Sequence, residues 1–413
     1  MKENLLALVD EPTSLEALYQ KNKTAFRKTL DELTEEETAH PALRVWKARL
    51  AFGKKPAQPA NRKEMLWVAL LAVLAGLIAK MPYFIGIEDD LYFQRNLGFI
   101  LFPSLIFFFA WKTKLARKYL LACCALLAAT AVFINLLPHN NSDTLILACI
   151  HLPLLLWTIT GFAYTGGDIK NIEMKIGFLR YNGDLLVMSA VIMIAGAILT
   201  GISIGLFELI ELSIAEWYMK NIAIWGAAAV PVVATYMVQR NPQLVQQVSP
   251  IIARIFTPLV LVLLLAYLGA MVYTGKDPYN DREFLFIFNL LLIGVMAIIL
   301  FSVAERGKQN TRSAESILLL ALAIATIFVN GIALSAIIFR ISSWGITPNR
   351  MAVLGSNLLM LIHLLIVSHR LFLGLRNKNN EQSIEAGIAS FLPVYSIWTA
   401  IVVFLLPLLF GFK

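Results

Sequence analysis

Charge is what this sequence has least of. Only 15% of its 413 residues are Asp, Glu, Lys or Arg, while 58% are hydrophobic. A soluble domain carries about 25% charged residues, so much of this chain's surface faces something other than water. Cysteine is scarce too. Cys123, Cys124 and Cys149 all fall inside apolar runs, with no Cys-x-x-Cys or Cys/His spacing. A disulfide framework and a zinc site are therefore not expected, and the cysteines read as small packing residues. Walker, Gly-x-Gly-x-x-Gly, His-Glu-x-x-His and Gly-x-Ser-x-Gly sequences are missing. No apolar run carries two acidic residues in its central turns, and none is arginine-rich, which removes a proton-pump carboxylate pair and a voltage sensor. No cofactor and no metal are expected. Alternating segments of about ten residues are absent as well, which argues against an outer-membrane barrel.

What the chain does have is long apolar runs. A helix needs about 20 residues to cross about 30 Å of hydrocarbon. Eleven runs meet that need, near 65–87, 97–111, 117–137, 145–164, 185–207, 219–238, 255–274, 284–304, 316–339, 350–372 and 387–411. The second is short and can extend back through Tyr92 and Phe93. The expected fold is an all-α integral membrane protein, with residues 1–64 as a cytoplasmic helical segment and linker and residues 65–413 as the membrane domain.

The formal charge of +8 is not a nucleic-acid signal, because the basic residues gather at the ends of apolar runs on alternate sides. One set of connections holds 22 lysines and arginines and the other holds 7, Arg95 among them. Basic residues stay in the cytoplasm, so the N-terminus is placed inside and the C-terminus outside. The outer connections are acidic, at Glu88, Asp89 and Asp90 and again at Asp277, Asp281 and Glu283. That pattern reads either as cation attraction or as a solvated face.

The first 64 residues are polar and helical in pattern. A short amphipathic stretch begins at Leu5. Ser14 is a candidate cap for a second helix over 15–30, with Glu16 favouring its dipole. A third covers 35–52, with Ala42, Leu43, Val45, Trp46 and Leu50 near one face. Residues 53–61 read as a linker rich in breakers. The polar lead is too long for a signal peptide, and it offers a surface for a protein partner.

Two polar stretches interrupt the membrane domain. Gly177-Phe-Leu-Arg-Tyr-Asn-Gly-Asp-Leu-Leu-Val precedes the fifth run, and Ser343-Trp-Gly-Ile-Thr-Pro-Asn-Arg precedes the tenth. Together they resemble elements of the bacterial membrane family known as domain of unknown function 4153. In that family glutamate often stands at the position of Asp184 and tyrosine at that of Trp344. The resemblance covers most of the membrane domain. It implies a polytopic protein of the bacterial inner membrane and names no reaction.

The polar hinge over 337–350 is the leading candidate site. Arg340, Trp344 and Arg350 sit on the same side as Asp277, Asp281 and Arg282, and the carboxylates are placed to pair with the arginines. The cluster reads either as an ion-pair clamp between hairpins or as a bidentate site for a phosphate or carboxylate. Asn330, Asn357 and His363 form a second set inside the spans, where polar groups must find partners within the bundle. His363 lies six residues after Asn357, a spacing that does not put the two cleanly on one face.

Three functions fit these features. The first is a transporter or lipid flippase-like permease, with a cavity lined by the eighth to tenth spans and a lipid or small solute as ligand. The second is a non-catalytic scaffold or sensor. The third is a transferase acting on lipid-linked substrates, with Asp277 or Asp281 as base or metal ligand. Membrane lipids are expected partners in every case, and nucleic acid in none.

Overall fold

A computed structural model describes residues 2–22, 26, 29, 30, 33, 40–51, 62–138, 142–209, 211–241, 248–274, 279, 282–306, 313–376 and 381–412. Every regular element among these residues is helical. The chain divides into two compact units, Met1–Met65 and Leu66–Lys413.

The first unit contains α1 (Lys2–Ala7), α2 (Pro12–Lys21) and α3 (Pro41–Ala51). Its small core gathers Leu5, Leu15, Phe26, Leu30, Leu43, Trp46 and Leu50. The rings of Tyr19, Phe26 and Trp46 meet pairwise at 5.0–5.5 Å. Arg49 lies 4.5 Å from the centre of the Trp46 ring and pairs with Glu16 at 2.8 Å. Two expectations are corrected here. Ser14 does not cap α2: Pro12 opens the helix, because its fixed φ and missing N–H suit a first turn, and the Ser14 hydroxyl donates to Glu11 instead. Val45 is 65% exposed, since the buried stripe of α3 runs through Leu43, Trp46 and Leu50. The linker read at 53–61 lies outside the described residues.

Helix α4 (Arg62–Ala79) starts in the last residues of the first unit and continues in the second, where the short α5 (Met81–Ile85) follows it. Then come α6 (Asp89–Lys112), α7 (Arg117–Leu136), α8 (Asp143–Tyr164), α9 (Ile172–Glu208) and α10 (Ala215–Arg240). The rest comprises α11 (Val248–Thr274), α12 (Arg282–Arg306), α13 (Ser313–Trp344), α14 (Pro348–Arg376) and α15 (Glu381–Ala400), the last continuing through a wider turn to Leu409. Among the described residues nine helices are long and apolar enough to cross a membrane. Helices α4 and α11 occupy the places of the other two expected runs. The second span does reach back, to Asp89, with Asp89 and Asp90 in its first turn, where carboxylates favour the helix dipole.

Two large apolar cores and two smaller clusters fill this unit. The first collects buried residues of α4, α6, α7, α8, α9 and α10, and the second those of α9 and α11 to α15. Helix α9 belongs to both. Phe178, Tyr181 and Met188 face the first core, while Ile176 and Leu179 face the second. Its start is thirteen residues earlier than the hydropathy of the sequence indicates, because its first turns are polar.

Those polar turns reach out in every direction. Arg180 pairs with Glu385 of α15 at 2.8 Å, and its Nε donates to the carbonyl of Ala304 at the end of α12. The Tyr181 hydroxyl meets Thr235 of α10 at 2.7 Å, fully enclosed. Asn182 accepts from the indole of Trp157 on α8 at 3.0 Å. A side chain on Gly183 would fall inside the ring of Phe301 on α12, so only glycine permits this approach. Successive residues on a helix point about 100° apart, so four in a row address four neighbours.

The second half of α9 is bare. At 37 residues the helix is about 55 Å long. Its apolar side chains from Val191 to Phe207 are largely exposed, and nothing lies within 4 Å of a Cβ on Gly196, Gly201 or Gly205.

The two kinds of glycine give a paired test. Gly183→Ala lowers the thermal unfolding midpoint in detergent, with an overpacking cost of about 1–3 kcal/mol. Gly196→Ala leaves it unchanged or raised, because alanine favours helix and meets no neighbour. Equal behaviour of the two variants would refute the assigned approach of α9 to α12.

Candidate functional site

The expected hinge over 337–350 is shorter than the sequence implies. Helix α13 runs on to Trp344 and α14 starts at Pro348, so only Gly345, Ile346 and Thr347 connect them. Gly345 adopts φ 79° and donates to the carbonyl of Ile341, closing α13 with a left-handed residue that glycine takes without strain. Pro348 then occupies the first helical position of α14.

Arg350 reaches back across this turn. One of its terminal nitrogens donates to the carbonyls of Trp344 at 2.9 Å and Gly345 at 2.6 Å. These carbonyls end α13, where a cation complements the dipole. The half-exposed Trp344 ring has two cations near it, with Arg340 at 5.4 Å and Arg350 at 5.7 Å from its centre. Phe339 meets the same ring edge-on at 6.2 Å, and Tyr279 meets Phe339 at 5.5 Å. The arrangement is a stapled helix turn. Asp277 and Asp281 lie outside the described residues, as does the side chain of Arg282.

The second predicted set is brought together inside the bundle. Asn357 donates to Asn289 of α12 at 2.8 Å, and Asn330 of α13 donates to the backbone carbonyl of Asn357 at 3.2 Å. His363 contacts the Tyr395 hydroxyl of α15 at 3.0 Å and stacks on Phe391 with ring centres 4.6 Å apart. Asn330, Asn357 and His363 are all 0% exposed. As the six-residue spacing implies, the two address different neighbours: Asn357 meets α12 and α13 and His363 meets α15, both from within the broad buried side of α14. The side-chain oxygens of Asn330 and Asn357 and Nε2 of His363 are buried without a hydrogen-bond partner. These amides tie α12, α13 and α14 together, and the histidine ties α14 to α15.

Among the described residues an open cleft lies elsewhere, away from both predicted sets. It has a volume of about 430 Å³ and is walled by four helices and one loop. Helix α7 gives Ala122, Cys123 and Leu126; α8 gives Trp157, Thr158 and Phe162; α9 gives Lys175 and Phe178; α15 gives Leu392, Pro393 and Ser396. The walls are almost wholly apolar, and Lys175 is the one charged side chain among them. The ammonium of this half-buried lysine donates to the carbonyl of Ala389 at 3.1 Å, which leaves two of its three donors. The loop that follows α8 forms the same end of the cleft, through Thr165 and Ile169. Gly166 and Gly167, both at positive φ, let that loop turn back sharply, with the amide of Gly167 bonded to the carbonyl of Phe162. The polar stretch around Gly177 was the only sequence signal near this place, since Phe178 both lines the cleft and packs on Trp157 at 5.2 Å. A pocket of this size, apolar with one placed charge, can take a chain-like amphiphile with its polar end at the lysine.

The amide tie is open to measurement. A double-mutant cycle with Asn289→Ala and Asn357→Ala yields a coupling of about 0.6–1.7 kcal/mol, the range for hydrogen bonds between membrane helices. Reversible unfolding in mixed micelles measures it. A coupling of zero would show that the two amides do not act as a pair.

Compared with known family models, curated proteins and solved structures, the chain matches none of them.

Proposed function

We propose that this chain is a permease-like membrane protein that takes an anionic lipid or similar amphiphile into the cleft between α7, α8, α9 and α15. The observation that carries the reading is the combination of an apolar cleft of about 430 Å³ with a single lysine at one end. A lipid tail needs the apolar walls, and a phosphate needs the ammonium. A free ion or sugar would need a lining of hydrogen-bonding groups that this cleft lacks. On this reading the membrane domain has eleven spans, counting α4 and α11, with its N-terminus in the cytoplasm of a bacterium. The basic connections that set this orientation include the one bearing Lys170, which leads into the first turn of α9 at Lys175, so on this reading the cleft faces the cytoplasmic leaflet. The resemblance to domain of unknown function 4153 is consistent with that placement.

A second reading, a scaffold or sensor, draws on the bare half of α9, whose apolar side chains and open glycines offer a helix face to lipid or to a partner. The transferase reading rests on Asp277 and Asp281, and no described group adds to it.

The test is lipid scrambling in phosphatidylcholine vesicles carrying a trace of fluorescent phosphatidylglycerol. Vesicles containing the protein expose their inner-leaflet probe to an impermeant quencher faster than protein-free vesicles. Ala122→Trp fills the cleft from its exposed rim, and Lys175→Gln removes the cation; each slows the exchange by about tenfold, a loss of about 1.4 kcal/mol in transition-state stabilisation. Wild-type protein that scrambles no faster than empty vesicles, or an Ala122→Trp variant as fast as wild type, rules the reading out.

A further inference from the structure

Arg95 was expected in an aqueous connection and is instead enclosed within α6, with 5% of its surface exposed. One terminal nitrogen, Nη1, donates to three carbonyls at the end of α7: Ile134 at 3.2 Å, Asn135 at 3.1 Å and Leu137 at 2.9 Å. The side-chain amides of Asn96 and Asn135 bond reciprocally beside it, at 3.0 and 2.9 Å. The guanidinium is therefore held in one orientation by α6 and by the end of α7. Its other two nitrogens, Nε and Nη2, are buried and have no hydrogen-bond partner. Among the described residues no carboxylate forms an ion pair with it.

The two open nitrogens are not a random pair. Nε and Nη2 lie on one edge of the planar guanidinium and present two parallel N–H bonds. That edge is the fork that grips both oxygens of a carboxylate or a phosphate. The partial negative charge at the end of α7 offsets only part of a full positive charge, and burial makes the remainder expensive. A bound oxyanion completes both the hydrogen bonds and the charge. Arg95 stands six residues past the start of α6, about 9 Å along the helix, within reach of the headgroup layer.

We propose that the Nε and Nη2 edge of Arg95 is a binding site for a single oxyanion group, the phosphate or carboxylate of a lipid headgroup or of a free anion. The site is separate from the Lys175 cleft and does not depend on it.

The full chain, purified in a neutral maltoside, is unfolded thermally with inorganic phosphate, with phosphatidylglycerol, and with each omitted. Stabilisation follows ligand saturation, and a rise in midpoint of about 3 °C or more is expected from at least one source. Phosphate alone acting identifies a soluble anion; phosphatidylglycerol alone acting identifies a headgroup; both results support the site. Arg95→Lys keeps the charge and loses the fork, so it loses the shift. Lys175→Gln removes the cation of the cleft, so a shift that persists in that variant is read at Arg95. The proposal is overturned if neither source shifts Lys175→Gln, or if Arg95→Lys in the same background responds in full. Should Arg95→Lys fail to fold, the Lys175→Gln measurement alone decides between these outcomes.

Discussion

Four consecutive residues near the start of α9 hold the membrane unit together. Arg180, Tyr181, Asn182 and Gly183 engage α12 with α15, α10, α8, and α12 again. No other described stretch touches both apolar cores in this way. The dependence has a physical source. Between membrane helices the lipid is as apolar as the side chains, so burial of leucine gives little preference for one arrangement over another. Close packing and hydrogen bonds must choose. Gly183 supplies the close packing, and its three predecessors supply hydrogen bonds that only one arrangement of neighbours can satisfy.

The same economy explains what could be read in the sequence. Long apolar runs declare themselves, because a helix in hydrocarbon must be apolar over about 20 residues. Helices α7, α8 and α12 accordingly begin and end within a few residues of their runs. The start of α9 did not declare itself. Arg180, Asn182 and Asp184 look like a connection when hydropathy alone is weighed, yet they lie inside a helix. The partners of Arg180 and Asn182 are Glu385, Ala304 and Trp157, outside the helix itself. Arg95 misled in the same way: a cation beside three acidic residues reads as a water-facing loop, and the carbonyls of α7 that hold it cannot be seen in advance. The turn at Gly345 was half legible. Glycine and proline marked a break, but the helix before it keeps Arg340 and Trp344.

The candidate sites divide by how far their polar groups are satisfied within the protein. At the turn between α13 and α14, Arg350 places one terminal nitrogen on two helix-end carbonyls, and the guanidinium groups of Arg340 and Arg350 both approach the Trp344 ring. The amides of Asn289, Asn330 and Asn357 bond chiefly to one another. Groups that close on themselves specify packing, and hydrogen bonds between membrane helices are modest in strength but directional. A cleft built from four helices leaves no such record in the sequence. Its walls are ordinary apolar side chains, and Lys175 alone is unremarkable beside a basic connection.

Among the described residues, two cations with donors to spare, Lys175 and Arg95, both border α7. Lys175 stands at the cleft beside Ala122 and Cys123, near the first turn of that helix. Arg95 grips Ile134, Asn135 and Leu137 at its last. About twelve residues separate these ends, a rise of about 18 Å, which is shorter than the hydrocarbon thickness and comparable to one lipid's reach from its headgroup. A cation is the most costly group to leave unpaired in hydrocarbon. A membrane supplies one abundant partner for it, the phosphate of a lipid, which brings its own apolar tail. On the proposed reading α7 carries a headgroup contact at each end.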